Sequence, residues 1–289
     1  MSSETPDRIT LHEAAARLGV HYMTVYRYIR LGRLPADKVG GSWRVDPRDL
    51  AGLRALDGPA KSGDRRVDRA TAASSGRRRA PWAGRLRLRM LAGDVEGSWH
   101  LVESAMVSGV EPADVYVEIL GPALHEIGAT WRRGEIGIEQ EHLASGVAAS
   151  IVGRLGSRFR RRGRHRGSVV VAMPVGERHG LAAAMISDLL RGDGYAVLNL
   201  GPDTPPASLV SAMAETDGLV AAVVSVVNVA RLPAARRMIA AARRQDPAVV
   251  IVAGGLAVPD ESAARSLGAD GWTADPRNLA GLIAELSGR

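Results

Sequence analysis

The 289-residue sequence predicts a multidomain chain with three fold types: a small all-α domain with a β-hairpin wing, a helical bundle, and an α/β doubly wound parallel sheet. Three observations predict this. Apolar residues recur at helical spacing over residues 9–54 and again from Trp82 to Arg162. Between them, residues 57–80 (DGPAKSGDRRVDRATAASSGRRRA) are poor in aliphatic side chains and read as a flexible, solvated linker that includes Arg77-Arg78-Arg79. After Gly167, continuous apolar runs alternate with helical stretches, the pattern of strands covered on both faces by crossover helices. The expected domains are residues 1–56, the linker 57–80, a four-helix bundle over 81–162, and a Rossmann-like sheet domain over 163–289.

In chain order, Thr10 and Glu13 form a capping box that starts a helix running to Leu18. Gly19 breaks it, and a second helix is expected from about Tyr22 to Leu31. Residues 38–45 (KVGGSWRV) read as two short strands around Gly40-Gly41, and Pro47 opens a helix through Leu53. In the bundle, helices should break near Gly93, near Gly109 and at Arg133-Gly134. Gly163 to Gly167 is a basic connector. The expected strands are 168–173, 196–200, 218–225, 248–253 and 271–273; the expected helices are 181–191, 206–215, 232–244, 262–267 and 277–286. A ligand of such a sheet lies beyond the C-terminal ends of its strands.

Composition narrows the function. With 46% apolar residues the chain can build real cores. It has no cysteine, which excludes disulfides and thiolate metal sites and agrees with a cytoplasmic location. No run reaches the roughly 18–20 apolar residues of a membrane helix, and the N-terminus lacks the form of a signal peptide, so no membrane partner is expected. The charge is uneven. Residues 1–80 hold 16 Lys+Arg against 9 Asp+Glu, residues 81–167 hold 12 against 10, and residues 168–289 hold 10 against 12. The excess positive charge at the N-terminal end suits an anionic polymer.

Residues 11–30 (LHEAAARLGVHYMTVYRYIR) decide which polymer. They resemble the MerR and excisionase group of winged helix-turn-helix domains over about residues 9–54, with Gly19 at the turn and Ala15, Leu18, Val25 and Ile29 spaced as a small core. The resemblance implies a double-stranded DNA operator as partner. On the second helix His21, Tyr22, Thr24, Arg27, Tyr28 and Arg30 are the polar candidates for the groove; Arg reads guanine, and Tyr and Thr hold phosphate. In the wing, Lys38, Ser42 and Arg44 are candidates to clamp the flanking backbone, and Trp43 suits wing packing as well as contact.

Residues 173–182 (MPVGERHGLA) leave the first strand of the sheet and open a helix. They resemble the cobalamin-binding loop of methionine synthase and of corrinoid proteins, which has an acidic residue, one residue, His, two residues and Gly. Glu177 and His179 match, and Ala182 stands where Gly is usual. Ser225-Val226-Val227 at the third strand end and Gly254-Gly255 at the fourth match the family's two further elements. The resemblance implies that His179 is the lower cobalt ligand, with Glu177 setting its tautomer. It also implies that Ser225, Val227, Gly254 and Gly255 receive the cofactor's nucleotide tail.

In the bundle, Trp131 is followed after nine residues by Glu141-His142. This resembles the upper-face signature of the CarH-type photoreceptors, regulators that hold adenosylcobalamin between a helical bundle and a cobalamin domain. By that resemblance Trp131 covers the upper axial group, Glu141 bonds the adenosyl sugar and His142 is an auxiliary contact. The position after the tryptophan, which can be histidine in that group, is Arg132 here. The expectation is a non-enzymatic repressor using adenosylcobalamin, with methylcobalamin as a possible substitute, light-responsive, and a homo-oligomer (a tetramer in the dark). The competing readings are a light-independent cobalamin sensor and a corrinoid methyl-transfer protein.

Overall fold

The structure is a computed structural model that describes residues 8–18, 25, 28–29, 34–39, 42–50 and 82–288. The chain divides into two compact units, Met1–Ser75 and Gly76–Arg289.

In the first unit, β1 (Ile9–Thr10), α1 (Leu11–Leu18), β2 (Ala36–Val39) and β3 (Ser42–Val45) are described. The expected capping box forms: the Thr10 N–H donates to Glu13 Oε2 at 2.7 Å, and the Glu13 N–H donates to Thr10 Oγ1 at 3.2 Å. The hairpin pairs Lys38 with Trp43 and Val39 with Ser42, and β1 adds to its other side in the order β1-β3-β2. Ala14, Ala15, Val25, Leu34 and Val45 form the core, with Leu18 and Ile29 packed against it. Most of the helix expected over 22–31 and all of the linker 57–80 lie outside the described residues.

The second unit opens with a four-helix bundle, broken where the glycines predicted. α2 (Trp82–Leu91) and α3 (Val95–Val107) are separated by Gly93 (φ +66), and Gly109 (φ +94) follows α3. The third bundle element is not one regular helix. It runs α4 (Pro112–Asp114), a π segment Val115–Leu120, then α5 (Gly121–Arg132). Pro122 has no N–H to give the carbonyl four residues back, and the Gly121 N–H bonds the Tyr116 carbonyl five back, so the ladder widens there. α6 (Ile138–Leu155) completes the bundle and passes through a 3-10 turn, Gly156–Phe159, into the connector.

The sheet follows: β4 (Ser168–Pro174), α7 (Gly180–Gly192), β5 (Ala196–Thr204), α8 (Pro206–Glu215), β6 (Leu219–Ser225), α9 (Leu232–Gln245), β7 (Val250–Gly254), α10 (Glu261–Leu267) and α11 (Leu279–Leu286). All strands are parallel, in the order β5-β4-β6-β7. Alternate side chains of β4 enter different cores: Val170 and Ala172 face α8 and α9, while Val169, Val171 and Met173 face α7 and α11. The fold class is the expected one. The strand expected at 271–273 is reduced to a single bridge, Val252 to Gly271, and β5 runs four residues longer than expected.

α7 belongs to two cores. Ala183 and Leu190 pack on the sheet, whereas Leu189, Leu181, Ala184 and Met185 pack into the bundle core. Polar contacts reinforce this join. The Tyr116 hydroxyl, raised in pKa chiefly by burial, donates to Asp188 Oδ2 at 2.8 Å. Arg277 Nη1 donates to Asp114 at 2.5 Å and to Glu118 at 2.9 Å on the irregular bundle element, while Asp275 holds the same guanidinium.

Candidate functional site

The loops leaving β4, β6 and β7 lie at the C-terminal edge of the sheet and carry the three matched elements. After β4 the chain turns tightly, with the Glu177 N–H bonded to the Pro174 carbonyl and Gly176 at φ +81. The turn buries Glu177 completely. Its Oε2 accepts from the backbone N–H groups of Val227 at 2.9 Å and Asn228 at 2.8 Å, just beyond β6. Its Oε1 contacts Nδ1 of His179 and accepts from the Arg178 N–H at 3.0 Å. Burial pushes the Glu177 carboxyl up, but the His179 ring and the two amides outweigh it and hold it below its ordinary value. A carboxylate only accepts hydrogen bonds, so Nδ1 carries a proton, which in the neutral ring leaves the lone pair on Nε2. The His179 side chain is 56% exposed, a ring with a free donor atom on a fixed loop.

The end of β5 clasps this loop from another direction. Asp203, the one non-glycine residue with positive φ (+54) among the described residues, accepts from the Gly176 N–H at 2.7 Å and donates its own N–H to the Glu177 carbonyl. Ser225 closes β6. Its hydroxyl is buried and has no partner among the described residues, a state that costs about 1–3 kcal/mol when nothing satisfies it. Gly255 has φ +101, and a side chain there would begin 2.4 Å from the Val226 carbonyl oxygen, so only glycine fits. Beside Gly254 a side chain would meet nothing within 4 Å, so the space is open. An imidazole with a free Nε2, an orphaned buried hydroxyl and an open glycine edge fit a corrinoid with a lower histidine ligand and a buried tail. Val227 serves Glu177 through its backbone, and Ala182 sits half-buried on the sheet side of α7.

In the bundle, Trp131 lies in the last turn of α5, Glu141 in the first turn of α6 and His142 directly after it, so all three sit at the same end. Trp131 is 45% exposed and is no part of the buried bundle core. Glu141 accepts from Ser145 Oγ at 2.7 Å, and the exposed His142 ring lies 3.8 Å from the Glu141 carboxylate. No hydrogen bond or ion pair joins these three to the Glu177–His179 loop among the described residues. Arg132 is exposed beside Trp131.

Of the DNA-reading candidates, His21, Tyr22, Thr24, Arg27 and Arg30 lie outside the described residues. Tyr28 is corrected: it is 7% exposed and packs with Val25 and Leu34, because its position faces the small core. Lys38 takes its place in β2, and Arg44 lies half-buried in the middle strand, where its charge reaches Glu13. Sequence reasoning missed Asn228, Asp203 and Arg231. Asn228 directly follows the serine motif and caps the next turn through its side chain, a signal that could have been read. A left-handed aspartate carries none. Arg231 lies against Gly176, where a side chain would begin 2.8 Å from its Nη1; the guanidinium can move aside, and it is the φ of +81 that calls for glycine.

Comparison with known proteins agrees with this geometry. Residues 82–155 and 167–279 each match a family model described as a B12 binding domain, and residues 9–53 match one described as a helix-turn-helix domain. A curated relative, monomethylamine corrinoid protein 2 of Methanosarcina acetivorans, is 22% identical over 128 residues, covering 43% of this chain and 59% of that protein. The chain thus matches about six-tenths of that relative's length. The solved monomethylamine corrinoid protein of Methanosarcina barkeri superposes with a TM-score of 0.61 at 18% identity, over 70% of this chain and 96% of that one. That likeness shows the fold of the bundle and sheet. No helix among the described residues is long and apolar enough to cross a membrane. One chain therefore joins a helix-turn-helix to a B12-binding pair of domains.

Proposed function

We propose that this protein is an adenosylcobalamin-dependent transcriptional repressor that releases DNA on illumination. The observation that carries the reading is the Glu177–His179 pair, prearranged as a ligand and its proton holder, in a chain that also matches a helix-turn-helix. When bound, the cofactor supplies a light-sensitive cobalt–carbon bond. The chain supplies the rest. His179 offers Nε2 as the lower ligand, while Glu177 holds the opposite nitrogen protonated and the ring fixed. Ser225 donates its free hydroxyl to the tail, and Gly254 and Gly255 keep that edge open. Trp131 would shield the upper group, Glu141 would provide a polar contact to its sugar, and His142 would support it.

Trp131, Glu141 and His142 share one bundle end, and α7 ties the bundle to the His179 loop, so the bundle registers whether the upper group is present. We read the response as a change in association, with a tetramer in the dark. Linked copies of a small DNA-reading domain gain effective concentration on a repeated operator. The likeness to corrinoid proteins favours a methyl-carrying role as the second reading. A DNA-reading domain has no part in such a role, and we infer a protein that is not an enzyme.

The test is one preparation measured three ways. The chain loaded with adenosylcobalamin in the dark should elute as a higher oligomer and retard operator DNA. Green light should change its spectrum, reduce its size and free the DNA. An oligomer and DNA affinity indifferent to both cofactor and light would overturn the reading.

A further inference from the structure

The Gly76–Arg289 unit pairs many of its arginines: Arg154 with Glu96, Arg243 with Asp270, Arg277 with Asp114. The connector between bundle and sheet does the opposite. Residues 158–166 (RFRRRGRHR) hold six arginines and His165, every one exposed, and none forms an ion pair among the described residues. Residues 81–157 carry 6 Arg against 10 acidic side chains, and residues 168–289 carry 10 against 12. Across residues 81–289 the excess positive charge is therefore concentrated in one loop, and the remainder is acidic. The loop is also built. The Arg166 N–H bonds the Gly194 carbonyl at 2.9 Å, the Gly167 carbonyl accepts from Ala196, and the Arg166 guanidinium lies 5.0 Å over the Tyr195 ring. Arg161, Arg162, Arg164 and His165 line a recess of about 360 Å³. Asp193 is the carboxyl group in that recess, and burial raises its pKa against the pull of Arg161 and Arg166.

Unpaired like charges in nine residues repel one another unless an anion joins them, and guanidinium forks match phosphate oxygens. We propose that this connector is a second DNA contact, gripping the phosphate backbone of double-stranded DNA outside the helix-turn-helix. The proposal rests on the DNA-binding reading above. Two features select the duplex from other polyanions. The loop's one aromatic residue, Phe159, is buried against Tyr116, so no exposed ring in it stacks unpaired bases. No exposed apolar side chain lies among residues 158–166 to enter a bilayer. The connector also leads directly into β4 and the His179 loop, which places this contact on the segment joining both halves of the cofactor site.

The test uses the full cobalamin-loaded chain in the dark, a random-sequence 30-base-pair duplex and fluorescence anisotropy across a potassium chloride series. Each lost phosphate contact lowers the slope of log K against log salt by about 0.9. The variant R160Q/R161Q/R162Q/R164Q should lose about 2–4 from that slope, with its cobalamin spectrum and thermal unfolding unchanged. The all-lysine counterpart should keep the slope. If the glutamine variant retains the slope while Arg44→Ala weakens binding, the connector proposal is overturned and the DNA reading stands. If the wild-type chain binds no duplex, the DNA reading falls and takes this one with it. Tighter connector-dependent binding to phosphatidylserine vesicles or single-stranded RNA than to duplex would also overturn it.

Discussion

Glu177 illustrates how much one buried side chain decides. Both its oxygens are engaged, by Val227 and Asn228 on one side and by His179 and Arg178 on the other. Glu177→Gln puts an amide N–H₂ against one of these donors, so the variant should lose about 1–3 kcal/mol of stability without cofactor. It should also bind cobalamin about 10–100-fold more weakly, because the His179 tautomer is no longer fixed; thermal unfolding and spectral titration measure the two effects. Ser225→Ala should split these readouts. It deletes a buried hydroxyl that has no partner, so stability without cofactor should hold or rise while cobalamin affinity falls. A loss of stability equal to that of Glu177→Gln would show the hydroxyl already satisfied. At Arg132 the expectation concerns light. A guanidinium offers no lone pair, so Arg132→His should add a second imidazole signature to the illuminated spectrum and slow the loss of cobalamin. A wild-type light state already showing two histidine ligands would mean that another histidine fills that role.

At the scale of elements, the irregular third bundle element is the part most exposed to test. It carries Tyr116, Asp114 and Glu118, through which the bundle grips Asp188 and Arg277. Tyr116→Phe removes a buried hydrogen bond to a carboxylate and should cost about 1.5–3 kcal/mol. Acid should loosen the second grip. Arg277 holds Asp275 below its ordinary pKa, so the Asp275 contribution is complete above about pH 4 and disappears as pH falls through the lowered value. Unfolding temperature followed from pH 6 to pH 2 should show that loss, and Asp275→Asn should flatten it. Most elements were legible because their signals are local: a capping box at Thr10, glycines at the bundle turns, unbroken apolar runs for the strands. The π segment was not, because Pro122 after Gly121 reads equally as the start of a new helix. Tyr28 was misread because a tyrosine on a polar-looking helix face shows its burial only once the hairpin packs behind it. The site motif was legible at His179, Ser225 and Gly255, whose chemistry is carried by residue type. Asp203 was not, because a left-handed aspartate leaves no signal in the sequence, and the Asn228 N–H was not, because it is a main-chain group that residue type does not mark.

At the scale of the molecule, the dark tetramer and its release of DNA are the decisive expectation, checked by size-exclusion and gel-shift measurements before and after green light. The two-core membership of α7 has a consequence for how this molecule comes apart. A helix that completes two hydrophobic interiors at once leaves neither able to open alone, so the bundle and sheet should melt in one calorimetric transition. Amide exchange should report the same bond. Bundle amides of α6, far along the chain from His179, should gain protection when cobalamin binds at the sheet edge, and by the same margin as the amides of α7 itself. The bundle and the sheet are then a single thermodynamic body with two architectures, and a chain cut within the connector should yield two fragments of which neither folds.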